Sequence, residues 1–300
     1  MTLFGVLNVN KPAGVTSRRV VDRIERILLP TKVGHAGTLD PLATGVLVIC
    51  VGQATRLVPY VQQMRKMYVA GFRLGYHSET DDIEAPLEPV VGAVEPSRAE
   101  VERVLASFVG KIEQRPPAHS AVKLSGKRAY KLARRGVTFE IQPKTVAIYR
   151  IALRRYEYPE LEIEVECGSG TYVRSLGRDV GDALGTGAVM TALERTAVGN
   201  FQLCDGIAID DLSAESIQRN LQPAAVAVAE LRHVRLTAGQ ALEVRHGRPI
   251  LTAWLSEPVE LASGEEVAAL DPADQLAAIL FEKTPGELWT RMSFTKSPSR

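Results

Sequence analysis

The sequence predicts an α+β protein: a mixed, largely antiparallel central sheet flanked by helices, followed by a small β-rich C-terminal domain. Three observations carry this expectation. Leu161, Ile163, Val165 and Cys167 alternate with Glu162, Glu164 and Glu166, the period of a strand with one buried and one wet face. Amphipathic helical patterns are interspersed with strand patterns, but without the regular alternation that builds a parallel sheet. Beyond about residue 230 the texture changes to short apolar runs divided by turn signals.

Along the chain, the N-terminal MTLFGVLNVNKPAG reads as one short strand interrupted by Asn and Lys. Val20, Val21, Ile24, Ile27 and Leu28 after Thr16 and Ser17 fit a capped amphipathic helix. Gly45 to Val51 is an apolar run expected to be a buried strand, and Tyr68, Ala70, Phe72 and Leu74 line one face of another. A second helix is expected through Val101, Val104, Leu105 and Phe108, after Pro96 and Ser97. Gly168-Ser-Gly-Thr171 closes the Leu161 strand and opens a third helix, with Val173, Leu176, Val180 and Leu184 facing inward. These elements make one domain over 1–230. In the C-terminal domain, 231–294, the runs EVAALD, LAAILFEK and LWTRMSF are separated by Asp271-Pro-Ala-Asp274 and Thr284-Pro-Gly-Glu287, the pattern of a small β-meander or barrel. A unit of that size lies near the lower limit for independent stability and is expected to lean on the larger domain. Thr295 to Arg300 form a polar tail.

Composition excludes several classes. With 300 residues, 45% hydrophobic and 24% charged, the chain is neither disordered nor fibrous. No apolar run approaches the roughly 18 residues of a membrane span and no signal peptide opens the chain, so a cytoplasmic protein is expected. Cys50, Cys167 and Cys204 are widely spaced, which argues against a disulfide framework or a structural zinc. The net charge of +1 conceals segregation. Arg115 to Arg135 carries seven bases (Arg115, Lys123, Lys127, Arg128, Lys131, Arg134 and Arg135) and no acid, whereas Glu79 to Glu102 carries eight acids and one base. A basic run of this kind suits a phosphate backbone, or is only a solvated face. On a helix Lys127, Lys131 and Arg134 would share one side.

The densest group of special residues is Gly34-His-Ala-Gly-Thr-Leu-Asp-Pro-Leu-Ala-Thr-Gly45. Pro41 biases Asp40 away from helical geometry, so the acid is either presented at the mouth of the following strand or caps a turn there. Gly168 and Gly170 resemble half of a dinucleotide fingerprint, but the third glycine is replaced by Val173, and a tight turn explains them equally well. Arg174 falls in the first turn of the third helix, where the helix dipole disfavours a cation. A carboxylate or phosphate partner is therefore expected. The chain has no P-loop, HExxH or GxSxG motif.

The segment GHAGTLDPLATGVLVICVGQATR resembles the signature of the bacterial tRNA pseudouridine synthase B family. The resemblance extends to Gly5-Val-Leu-Asn-Val-Asn-Lys-Pro-Ala-Gly14, Lys66-Met-Tyr-Val-Ala-Gly-Phe-Arg-Leu-Gly75, Gln114-Arg-Pro-Pro-Ala-His-Ser-Ala-Val-Lys123 and Cys167-Gly-Ser-Gly-Thr-Tyr-Val-Arg-Ser-Leu176, in the family's order. It implies the pseudouridine synthase fold, an RNA-gripping thumb at about 115–138 and a C-terminal PUA-like domain. It also implies isomerisation, without metal or organic cofactor, of the T-loop uridine at position 55 of tRNA. A monomer acting on the T stem-loop, away from membranes, is expected.

The same resemblance implies roles for individual residues. Asp40 would be the nucleophile that attacks the flipped nucleotide at C6 of the base or C1′ of the sugar. Arg174 would hold that carboxylate ionised and aimed. Tyr68 would stack on the uracil with its hydroxyl near the departing C5 proton, if it is not simply a core tyrosine. Tyr172 and Leu193 would line the uracil pocket, although Leu193 fits core packing as well. His35 would enter the T loop, and Lys11 would support the cleft. Lys123, Lys127, Arg128, Lys131, Arg134 and Arg135 would contact the RNA backbone. Two other classes compete: a non-catalytic tRNA-binding or tRNA-folding protein, and, more remotely, a nucleotide-dependent oxidoreductase using Gly168 and Gly170.

Overall fold

The computed structural model describes residues 3–117, 123–124, 127–128, 141–257, 259–262 and 264–294. The chain opens with strand β1 (Gly5–Lys11), helix α1 (Ser17–Leu28), strands β2 (Val33–His35) and β3 (Thr44–Val51), helix α2 (Val58–Gln63) and strand β4 (Lys66–Leu74). Short strands β5 (Tyr76–His77) and β6 (Glu88–Pro89) pair with each other ahead of helix α3 (Arg98–Ser107) and strand β7 (Gly110–Gln114). Strands β8 (Lys123–Leu124) and β9 (Lys127–Arg128) also form a pair of their own. A long hairpin, β10 (Lys144–Glu157) and β11 (Glu160–Cys167), leads into helix α4 (Val173–Ala183). Strands β12 (Ala188–Val198), β13 (Phe201–Gln202) and β14 (Ile207–Ala208) and helix α5 (Ala214–Asn220) follow. The C-terminal part contains β15 (Arg232–Arg235), α6 (Ala238–Arg245), β16 (Ile250–Leu251), β17 (Glu266–Leu270), β18 (Leu276–Thr284) and β19 (Glu287–Ser293).

The larger sheet has ten strands in the order β14, β1, β3, β12, β4, β11, β10, β7, with β2 added to β3 and β13 to β12. Pairing is antiparallel except between β1 and β14 and between β3 and β12. Thr16 caps α1 by accepting the Arg19 N–H, and the helix buries Val20, Val21, Ile24 and Leu28 against Leu47, Ile49 and Val51. A reciprocal Ser97 and Glu100 capping box starts α3. Together α3 and α4 cover one face of β4 and β11, where Val101, Val104, Leu176 and Val180 meet Phe72, Leu161 and Ile163.

Helix α4 packs flush against the sheet at Gly177, for a reason visible in the sequence. A Cβ placed on Gly177 would stand 2.0 Å from Cε1 of Phe72, so no larger residue fits between helix and β4. The opposite face of the hairpin is wet, as the alternating glutamates predict. Arg65 pairs with Glu166 at 3.0 Å, Arg154 with Glu162 at 3.7 Å, and Arg150 with Glu164.

The second sheet runs β15, β17, β18, β19, β16. The Asp271 side chain accepts the Ala273 and Gln275 N–H groups to form one of its turns. One face of this sheet has a core of its own, in which Val234, Val244, Val267, Leu280 and Leu288 meet, and the other face packs on the larger sheet. Ala268, Leu270, Leu276, Ile279 and Phe294 pack with Val6, Val46, Val48 and Cys50 of the larger sheet. Phe294 stacks on Phe4 with ring centroids 5.4 Å apart, and the Tyr60 hydroxyl donates to Glu266 at 2.6 Å.

The basic run departs from its expected helical pattern where it is described: Lys127 and Arg128 lie on a strand paired with Lys123 and Leu124. Lys131, Arg134 and Arg135, most of the thumb segment, and the tail from Thr295 lie outside the described residues.

Candidate active site

The connection from β2 to β3 is held from three sides. The buried Ser17 hydroxyl, at the start of α1, accepts the Leu39 N–H at 2.8 Å and donates to the Leu39 carbonyl at 3.0 Å. The carbonyl of Pro41 accepts the Gly14 N–H at 2.8 Å. The fully buried Lys11 Nζ donates to the carbonyls of Pro12 at 2.8 Å, Val15 at 2.7 Å and, more weakly, Pro41 at 3.5 Å. Burial pushes the Lys11 ammonium down to about 8, against the pull of nearby Asp40. Lys11 thus ties the end of β1 to the turn that presents Asp40. At the far end of the connection Gly45, at φ +98°, lets β3 run beside β12, because a Cβ there would stand 2.2 Å from the Arg195 carbonyl oxygen.

Asp40 meets Arg174 across the cleft, with Nε 3.1 Å from Oδ2. The guanidinium comes from the first turn of α4 and is shared: Nη1 lies 2.9 Å from Asp82 Oδ2 and donates to the Thr80 carbonyl at 2.9 Å. Asp82 is further held by the Thr80 hydroxyl and by the Glu84 N–H at 3.0 Å. Arg178, one turn along α4, grips the neighbouring Asp81 at 2.9 Å and the Arg115 carbonyl at 2.9 Å. The two carboxylates on Arg174 are not equivalent. The Asp82 side chain is 1% exposed and the Asp40 side chain 37% exposed, so only Asp40 faces a molecule arriving from solvent. Burial pushes the Asp40 carboxyl above the ordinary carboxylate range, Arg174 pulls it back, Asp82 pushes it up again and Lys11 pulls it down.

Tyr68 lies on β4 on the buried face of the sheet, 8% exposed and part of the core. Its cross-strand neighbours are Val165 on β11 and Arg195 on β12. Burial pushes the phenol up, and the positive charge of Arg195 pulls it down. Leu193 is opposite Ala70 and therefore shares the face of Tyr68. Tyr172 forms the N-cap of α4, its N–H donating to the Gln114 side chain at 2.8 Å and its carbonyl accepting from Gln114 at 3.1 Å. His35 ends β2, and its Nδ1 accepts the Gly37 N–H at 3.4 Å. Burial, with Arg195 and Arg18 nearby, pushes His35 below the ordinary histidine range. The structure thus pairs Asp40 directly with Arg174, ties Lys11 to the turn beside Asp40, close enough for the two charges to act on each other, and sets Tyr68 and Leu193 on one face of the sheet. The side chains of Lys123, Lys127 and Arg128 lie outside the described residues, as do Lys131, Arg134 and Arg135 entirely.

Three residues of this site were not legible beforehand. Asp82 lies in the acidic stretch from Glu79, which reads as mere charge segregation. Gln114 opens a block that resembles the family, but nothing in that block marks it as the partner of Tyr172. Arg195 carries one in retrospect: it follows Leu193 by two positions and so falls on the buried face of its strand. Among the described residues no group of three or more His, Cys, Asp or Glu side chains is placed to hold a metal ion, and no helix is long and apolar enough to cross a membrane.

Comparison with known proteins fits this geometry. The sequence matches the TruB family pseudouridylate synthase (N terminal domain) over residues 25–173 and the tRNA pseudouridylate synthase B C-terminal domain over residues 174–242. It is 45% identical to a tRNA pseudouridine synthase B of Rhodopirellula baltica, covering 74% of this chain and 68% of that protein. It is 43% identical to one of Thermobifida fusca, covering 86% of this chain and 90% of that protein. Among solved structures, a Cbf5-Nop10-Gar1 complex matches with a TM-score of 0.73 and 30% identity over 92% of this chain and 78% of that one. An H/ACA RNP bound to a substrate RNA containing 2′-deoxyuridine matches with a TM-score of 0.76 and 27% identity over 98% of this chain and 86% of that one. The family match, the named relatives and the shared fold place the chain in the class of pseudouridine synthases. Within that class the chain belongs to the TruB family.

Proposed function

We propose that the protein isomerises the T-loop uridine at position 55 of tRNA to pseudouridine, with Asp40 as nucleophile. The observation that carries this reading is the asymmetry at Arg174: one guanidinium holds two carboxylates, of which one is sealed in the protein and the other is exposed at the rim. Binding alone needs no acid facing a polyanion, because an exposed carboxylate repels phosphate. An acid aimed by a buried guanidinium suits covalent attack on a nucleotide that has been turned out of its stack. In the isomerisation the N1–C1′ bond breaks and a C5–C1′ bond forms, while the proton on C5 leaves and N1 ends protonated. No atom is gained or lost. Asp40 holds the fragment to which it bonds, at C6 or C1′, while the bond exchange takes place. Tyr68 offers the uracil a ring face and a hydroxyl from the adjoining sheet, and Leu193 an apolar wall beside it. Lys123, Lys127, Arg128, Lys131, Arg134 and Arg135 grip the phosphates of the T stem, with the basic segment as the thumb.

The test is incubation with an unmodified tRNA transcript followed by site-resolved detection of pseudouridine. One modified uridine, in the T loop, is expected, and it should be absent with Asp40→Asn. Tight binding of the transcript with no pseudouridine formed would return the chain to the binding-protein reading.

A further inference from the structure

Arg195 is a buried charge that the reaction scheme leaves without a role. It stands on β12 directly opposite Tyr68 on β4 and is 2% exposed. Nε donates to the Val46 carbonyl at 2.7 Å and Nη2 to the Gly37 carbonyl at 3.2 Å. These two acceptors bracket the loop that carries Asp40. The arginine backbone enters the same junction by pairing with Gly45. The two carbonyls use two of the five guanidinium N–H bonds. A Cβ on Gly37 would lie 3.5 Å from Nη1, so this nitrogen is packed directly against the loop. Tyr68 stands directly opposite on the neighbouring strand, within range of the guanidinium charge.

Among the described residues no carboxylate forms an ion pair with Arg195, in contrast to Arg174. A guanidinium buried without a counter-ion is costly, and an apolar side chain of similar size would fill the space without that cost. The charge therefore has a use that bulk cannot serve. At this depth it does not meet an RNA phosphate, so its partner lies inside the cleft.

We propose that Arg195 is a positioning residue that fixes the Asp40 loop and the Tyr68 hydroxyl as one unit and acts as internal counter-charge to the phenolic oxygen; the proposal rests on the reading of this cleft as the uridine-isomerising site. The charged and titratable groups facing the phenol are Arg195 from β12, Cys167 from β11 and Asp40 from the loop before β3. Of these Arg195 alone is a cation, so it alone opposes the upward push of burial.

The experiment is a titration of the full RNA-free chain by NMR with tyrosines labelled at the ring Cζ carbon. The Tyr68 signal is identified by its absence from Tyr68→Phe. Arg195→Gln keeps amide donors for a carbonyl but loses the charge, and is expected to raise the Tyr68 midpoint by roughly one pH unit or more. In the same variant the single-turnover rate on a tRNA transcript is expected to fall roughly tenfold or more, with tRNA affinity little changed. An unmoved midpoint in folded Arg195→Gln overturns the proposal. If that variant does not fold, Arg195→Lys is combined with Tyr68→Phe in a thermal-unfolding cycle. Non-additive shifts in Tm support the proposal, and additive shifts overturn it. The titration uses no RNA, so it can fail while the wild type modifies tRNA, or succeed while it does not.

Discussion

At the scale of single residues, the site turns on how Arg174 divides its charge between Asp82 and Asp40. Asp40→Asn is expected to abolish turnover while leaving tRNA binding within about threefold, since the carboxylate is needed for attack but repels RNA. Measurable multiple turnover by that variant would remove Asp40 from the chemistry. A nucleophilic carboxyl whose pKa is raised is lost to protonation as pH falls, at a higher pH than an ordinary aspartate. Because Arg174 pulls Asp40 down, Arg174→Ala should move the acid limb of the single-turnover rate to higher pH. It also strands Asp82, at a cost to stability of about 3–5 kcal/mol, which denaturant unfolding will show. Arg174→Lys should recover part of the rate only, because a point charge replaces a planar fork. Asp40 and Arg174 stood out in the sequence because each occupies a position its local structure disfavours, an acid before proline among glycines and a cation at a helix start. Asp82 did not, because one acid in an acidic run has no distinguishing local feature, and its burial is decided by a loop folding back onto α4.

At the scale of elements, the position of Arg174 is set by the depth of α4. Gly177→Ala places a methyl group inside the Phe72 ring position and must lift the helix away from β4, carrying Arg174 with it. The expected cost is about 1–3 kcal/mol in stability, with a loss of activity larger than that of a substitution of equal cost elsewhere on the helix. Adding Phe72→Leu should restore part of both. If unfolding and single-turnover rates are unchanged in Gly177→Ala, the flush seat of the helix is irrelevant to the site. Most elements were legible from period and capping, as the alternation in β11 and the Ser97 cap of α3 show. The register of β12 against β4 was not, because nothing local tells Leu193 to stand opposite Ala70 and Arg195 opposite Tyr68. In the basic segment the spacing of Lys127, Lys131 and Arg134 fits a helix, yet Lys127 pairs on a strand with Leu124, while Lys131 and Arg134 lie outside the described residues.

At the scale of the molecule, chemistry and grip are expected to separate. Replacing Lys127, Lys131, Arg134 and Arg135 by Ala should weaken tRNA binding and flatten its dependence on salt, because fewer counterions are released, with the chemical step at saturation nearly intact. Dissociation constants at several salt concentrations, beside single-turnover rates, check this, and an unchanged slope would move the RNA to another surface. The two sheets, by contrast, are expected to unfold together. Phe294→Ala, in the core they share, should lower the stability of the whole chain by about 3–5 kcal/mol in a single transition. Two resolved transitions in calorimetry would show that the sheets are independent. The strand order also governs how the protein is made. β1 is delivered first but lies between β3 and β14, with Val9 pairing across to Ile207, and β3 waits for β12 in the same way. A chain emerging from the ribosome therefore carries an apolar β1–β3 pair, only partly covered by β2, with open edges through most of its synthesis, and closes them only when β12 and β14 arrive. Loop closure over such spans is slow, and unpaired edges attract other chains. The arrangement that brings Arg195 beside Gly45 thus leaves the growing chain with exposed strand edges until most of it has been made.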